Sequence, residues 1–232
     1  PSSWQKKLNE SNLDFLCIGE AHIEKYRNLL KENILKNLTF DHFMLEATPE
    51  KLAKILDSYQ RTGQVSFKSA PFGPILRSVL NKNKNIRISG VESTSKQKLL
   101  ALNETLELGR KKLSREAFIA QNIIENISLN ERTVSLYGAL HCSYINEGLG
   151  LDTPFFKLIQ KYLSDRNIKA TNVKVIYAKE HITLSALLSQ YGHLKDEAIV
   201  LSDLDRVDPS LYNYKQEILN LFKAYDNLVV IP

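Results

Sequence analysis

Short apolar runs alternate with amphipathic segments along the chain. The apolar runs have the length of buried strands. The segments between them repeat Leu, Ile and aromatic residues at three- and four-residue spacing, as helices do. This alternation predicts βα units and a largely parallel sheet. A leading helix is expected over 3–10 and a first strand over 13–18. A helix follows over about 23–37, with Tyr26, Leu29, Leu30, Ile34 and Leu38 on one face. The second strand is 42–46, and Thr48-Pro49 then reads as N-cap and first-turn proline of a helix that Gly63 stops. Residues 64–73 read as irregular, Pro74 opens a helix, and a third strand is expected over 86–91.

A leucine-rich helix over 95–109 precedes one capped by Ser114, which carries Phe118, Ile119, Ile123, Ile124 and Ile127. The fourth strand is 132–138, a glycine-containing loop covers 146–150, and Thr153-Pro154 opens another helix. Strands at 173–178, 198–202 and 228–231 and helices at about 183–191 and 211–225 complete the pattern. The expected fold is α/β, with a mixed, largely parallel sheet flanked by helices. No linker rich in Pro, Gly or Ser divides the chain, so one domain is expected over 1–232.

Four of these strands end in ionisable residues. Gly19-Glu20-Ala21-His22 follows the first, and Gly138-Ala139-Leu140-His141 follows the fourth. Glu46 ends the second, and Glu92 follows the third. Parallel strands bring such ends to one edge, where ligands of open α/β sheets bind. Neutral imidazole serves as metal ligand or general base, and a neighbouring carboxylate can bind metal, orient the imidazole or move a proton. The plain alternative for each His is a turn hydrogen bond; matched placement of two favours function. Glu46, directly after a buried strand, needs a partner, a metal or water. The run Ser93-Thr94-Ser95 makes Glu92 read as part of a helix cap. Arg115 opens an apolar helix, where a cation is mildly disfavoured, so it could anchor a carboxylate or an oxyanion. The repeated motif also suggests two pseudo-symmetric halves, about 11–112 and 113–232.

Composition narrows the function classes. A net charge of +5 with scattered basic residues does not make a nucleic-acid track. No apolar stretch approaches the ~18 residues that cross a bilayer. Two cysteines make no disulfide framework: Cys17 reads as a small buried hydrophobe, and Cys142 beside His141 as a weak nucleophile candidate. The signatures of dinucleotide-binding folds, P-loops, zincins and nucleophile-elbow hydrolases are missing from the sequence. Pro1 opens the chain and Met44 is its only methionine, which reads as a piece of a longer protein.

The order of motifs resembles one superfamily. Leu16–His22, Phe43–Ala47, Arg115–Ile123 and Leu136–His141 are similar to the segments that mark erythromycin esterases, haem-binding ChaN-like lipoproteins and TraB/Tiki proteins. The resemblance spans roughly residues 13–178. It implies an α/β fold with these motifs in one cleft and a site made of His22, Glu20, Glu46, His141 and Arg115. Tiki members imply a protease with a divalent metal (Mn, Co or Zn) on His22, Glu20, Glu46 and His141. The esterases imply water activated against an ester. The expected activity is therefore hydrolysis of a peptide or small ester. The resemblance also leaves two other roles open: a non-catalytic haem- or metal-binding module, or a toxin or effector domain, secreted within a larger toxin, that docks to a partner.

Overall fold

The computed structural model describes residues 3–10, 12–21, 30, 35–65, 72–83, 85–94, 96–97, 114–146, 153–177, 199–201 and 215–231. Among these residues the centre is a seven-stranded sheet. The strands are β1 (Phe15–Glu20), β2 (His42–Leu45), β3 (Arg87–Gly90), β4 (Thr133–Gly138), β5 (Ala170–Tyr177), β6 (Ile199–Leu201) and β7 (Asn227–Ile231). Their order is β3-β2-β4-β1-β5-β7-β6. All pairs are parallel except β6–β7, which is antiparallel. The expected mixed, largely parallel sheet is the one found.

Side-chain alternation divides the interior into two layers. Leu16 and Ile18 of β1, Phe43 and Leu45 of β2, and Val134 and Leu136 of β4 face one way. There they meet α2 (Pro49–Thr62) through Leu52 and Ile55, and α3 (Gly73–Lys82) through Ile75, Leu76 and Val79. Phe15, Cys17, Met44 and Tyr137 face the other way. They meet α4 (Arg115–Asn126) through Ile119 and Ile123, α5 (Phe155–Asp165) through Phe155, Phe156 and Ile159, and α6 (Lys215–Ala224) through Leu221 and Phe222. The short helix α1 (Ser3–Glu10) precedes β1. Burying each Leu, Ile or Phe contributes about 1.5–3 kcal/mol, so these two layers supply the main favourable term in folding.

Local signals behave as expected at the helix starts. Thr48 Oγ1 accepts a hydrogen bond from the Lys51 N–H, and Ser114 Oγ from the Ala117 N–H. Two strands, β1 and β5, shift by more than one residue from their expected bounds. β1 runs from Phe15 to Glu20 rather than over 13–18, because the register carries Gly19 opposite Tyr137 and Glu20 opposite Gly138. Gly19 therefore lies inside the strand rather than in a turn. Its missing side chain matters through packing: a Cβ there would stand 2.8 Å from the Cα of Ala139. β5 begins at Ala170, opposite Phe15, three residues before its expected start at 173.

The sheet also interleaves the two proposed halves. β4, from 113–232, lies between β2 and β1 of 11–112. The helices expected near 183–191 and, for most of their length, near 23–37 and 95–109 lie outside the described residues. Among the described residues no helix is long and apolar enough to cross a membrane.

Candidate functional site

The parallel strands deliver their carboxyl ends to one edge. Strand order changes direction around β4 and β1, the place where a crevice opens in such sheets. Glu46 follows β2, Glu92 lies two residues past β3, and His141 lies in a 3-10 turn, Ala139–Cys142, directly after β4. α4 begins at this edge with Arg115 and Glu116.

Arg115 is the hub. Its Nη2 donates to Glu46 Oε1 at 2.8 Å and also to Glu92 Oε2, and its Nε donates to Glu92 Oε1 at 3.0 Å. Its Nη1 stands 3.2 Å from His141 Nε2. Both carboxylates have further donors. The Gly138 N–H binds Glu46 Oε2 at 3.1 Å, and the Ser93 N–H and hydroxyl both bind Glu92 Oε1. Burial pushes the Glu92 carboxyl up, but hydrogen bonds and charge from Arg115, with Ser93 added, outweigh it and leave the group below the usual carboxylate range. Arg115 is held charged, chiefly by its hydrogen bond to Glu92.

His141 is the second centre. Its Nδ1 lies 2.7 Å from Glu116 Oε1. A guanidinium only donates, so Nε2 accepts from Arg115 and the ring proton sits on Nδ1, donated to Glu116. Glu116 is 2% exposed. Its other oxygen accepts the Phe155 N–H at 2.8 Å. This carboxylate thus lies at the N-terminal ends of two helices, α4 and α5, where the backbone favours negative charge. The ring of Tyr137 meets His141 edge-on at 5.6 Å and Phe155 at 5.0 Å. Among the described residues the buried Tyr137 hydroxyl has no hydrogen-bond partner, and burial together with Glu92 and Glu46 pushes its pKa well up.

The turn that carries His141 is tied down on several sides. Tyr225 donates its hydroxyl proton to the Ala139 carbonyl at 2.7 Å, and Asn172 Nδ2 donates to the Cys142 carbonyl at 2.6 Å. Cys142 is joined to Cys17 of β1 in a disulfide, with Cα atoms 5.8 Å apart. Cys17 is buried in the core as expected, but it is paired: neither residue is a free cysteine, and Cys142 offers no nucleophile.

The sequence-derived residues are therefore distributed as follows. Glu46, Arg115 and His141 come together. Glu92, read as part of a cap, joins them by two hydrogen bonds to Arg115. Glu20 is 1% exposed and ends β1 opposite Gly138. Alternation places its side chain on the sheet face of Leu16 and Ile18. His22 lies outside the described residues. Among the described residues no group of three or more His, Cys, Asp or Glu side chains is placed to hold a metal ion. Comparison with known proteins gives no matching family model, no matching characterised protein and no matching solved structure.

Sequence reasoning passed over Glu116, although its position carries a signal. Glu116, Ile119, Ala120 and Ile123 occupy one helical stripe, and all four are buried. A carboxylate in an apolar stripe is a buried polar group that needs a partner.

Proposed function

We propose that the chain is a hydrolase that activates water against an ester or peptide carbonyl, with His141 as general base. The observation that carries this reading is the Glu116–His141 pair. A buried carboxylate fixes the imidazole in the tautomer whose basic nitrogen, Nε2, points toward Arg115 and the strand-end carboxylates. A base oriented by a third group is the arrangement that proton abstraction requires.

In this reading a water takes the place of Arg115 at His141 Nε2, a contact that is already long at 3.2 Å. His141 accepts the water proton at Nε2 as the hydroxide adds to the carbonyl carbon. Glu116 steadies the resulting imidazolium through Nδ1. Arg115 Nη1 donates to the oxyanion, and His141 returns its proton to the leaving group. Arg115 is 38% exposed at its side chain, so a ligand can reach it. Glu46 and Glu92 already balance its charge, which makes it a positioned donor rather than a free counter-charge.

A divalent metal on His22, Glu20, Glu46 and His141 fits the described side chains poorly. Glu46 and His141 both converge on Arg115, a resident cation. No step is therefore routed through a metal. The test is a panel of activated esters and short peptides. His141→Ala and Glu116→Gln are each expected to lower kcat/KM by about 10²–10⁴-fold while the fold is kept. Full activity in His141→Ala would sink the assignment. Loss of activity on chelation, restored by manganese, cobalt or zinc, would move the chemistry to a metal instead.

A further inference from the structure

The Cys17–Cys142 disulfide lies next to the candidate base, and its geometry gives it a role. Cys142 is the last residue of the turn that holds His141, and Cys17 lies two residues before Gly19 in the central strand. Both cysteines are 0% exposed. Around them the fit is tight: a Cβ on Gly19 would stand 2.8 Å from the Ala139 Cα and 3.3 Å from the Cys142 Cβ. The turn touches β1 through this packing and the disulfide, β5 through Asn172, and the end of α6 through Tyr225. Of these ties only the disulfide is covalent. It spans 125 residues of sequence, so it closes a long loop, the kind of cross-link that constrains the unfolded chain most.

We infer that Cys17 and Cys142 are positioning residues for His141, and that the site takes its working form only when their disulfide is closed, so that the chain is built to mature where thiols are oxidised. The redox step balances simply. A dithiol reductant attacks one sulfur, forms a mixed disulfide, and then closes its own disulfide, leaving two protein thiols; the reductant loses two electrons and two protons, and the protein gains them. Because both sulfurs are buried, this exchange requires local opening. The bond is therefore set during folding and is no rapid switch in the folded protein.

The inference rests on the reading of His141 as base, and its test does not depend on turnover. Aerobically purified full chain is compared with chain reduced by a dithiol in mild denaturant and refolded under reductant. The oxidised protein is expected to show no thiol reactive to a disulfide dye until unfolded, and a mass about 2 Da below the reduced form. Reduction is expected to lower Tm by about 10 °C. Nitrogen NMR of the imidazoles, with the His141 signal assigned by its loss in His141→Gln, is expected to show the Nδ1-protonated tautomer only in the oxidised form.

Cys17→Ala/Cys142→Ala should reproduce the reduced spectrum. Ile55→Ala, in the opposite core layer, should lower Tm while leaving the His141 signal in place. That contrast separates positioning from general stability. Two free thiols in the native oxidised protein, or an unchanged His141 signal after complete reduction, would overturn the inference. If the NMR result holds but no substrate is turned over, the hydrolase reading fails and the positioning role stands.

Discussion

Two histidines sit in hydrogen-bonded networks at opposite ends of the same sheet, and α4 touches both. At the carboxyl end, α4 begins with Arg115 and Glu116, which hold His141. At the other end it finishes with Asn126, whose Oδ1 accepts from Ser89, while Ser89 Oγ lies 2.8 Å from His42 Nε2. Ser89 gives its proton to Asn126, so it accepts from His42, and the proton of that ring sits on Nε2. Thr133 faces the remaining nitrogen, at 3.5 Å. Burial, then the charge of Arg87, lower the His42 pKa to about 4, against a smaller opposing effect of Glu131. His42 is held neutral among hydroxyls. His141 is held by a carboxylate that accepts its Nδ1 proton and fixes its tautomer. The chemistry of the partners separates a structural histidine from a candidate base.

The comparison breaks most severely at backbone contacts behind the site. Gly90 ends β3, and a Cβ there would stand 2.6 Å from the Ala47 carbonyl oxygen and 2.8 Å from that of Thr48. Neither atom belongs to a flexible side chain, so β3 and the segment after Glu46 must part. Gly90→Ala is expected to cost about 3 kcal/mol and to lower Tm by roughly 6–12 °C in thermal denaturation. It is also expected to loosen the Arg115–Glu46–Glu92 contacts and leave the His42 network in place. Wild-type Tm in this variant would remove the close approach from the account of how Glu46 and Glu92 are brought together.

A milder break removes the hub itself. Arg115→Met keeps much of the apolar stem but leaves Glu46 and Glu92 as neighbouring partly buried carboxylates. The expected cost is about 2 kcal/mol at neutral pH, measured by urea denaturation. The sign with pH is specific. In the wild type Glu92 lies below its ordinary value, so it contributes stability that is present above about pH 4.5 and is lost as pH falls through the lower folded value. Without Arg115 that contribution vanishes, and mild acid should reduce the gap between variant and wild type. A gap that widens on acidification would show that the carboxylates do not depend on Arg115.

Much of this arrangement was legible in the sequence because strand ends are marked by abrupt changes of chemistry. Glu46 directly after Phe43-Met44-Leu45, and His141 after an apolar run closed by Gly138, announce the edge on which they fall. Arg115 stood out against helix-dipole preference. Order within the sheet was not legible. Nothing local says that β4 inserts between β2 and β1, yet this insertion brings Gly138 to Glu46 and Cys142 to Cys17. A pairing across 125 residues has no local signature. The helix cap read at Ser93-Thr94-Ser95 is present but belongs to Thr94, which exchanges hydrogen bonds with Gln97, whereas Ser93 donates to the Glu92 carboxylate and Glu92 turns to Arg115. Register likewise decided that Gly19 lies within β1.

The smallest effect sharpens the comparison from its structural side. The folded chain adds no second ring proton to His42 until pH nears 4, whereas the unfolded chain adds it near pH 6.5. Its folded pKa is depressed. Stability is therefore complete above about pH 6.5 and is lost as pH falls toward 4, by an amount on the order of 2 kcal/mol from this residue. His42→Gln keeps a donor for Ser89 and does not titrate. It is expected to cost about 1 kcal/mol at pH 7.5 and to show a flatter stability profile between pH 6.5 and 4. Urea denaturation across that range measures both, with Arg87 and Glu131, the charged groups facing His42, left unchanged. Turnover of any ester or peptide substrate should stay within about threefold of wild type, against the 10²–10⁴-fold loss expected at His141. An unchanged pH slope would mean that His42 is already solvated and protonates freely, and the contrast between the two ends of the sheet would then rest on the Glu116 carboxylate alone.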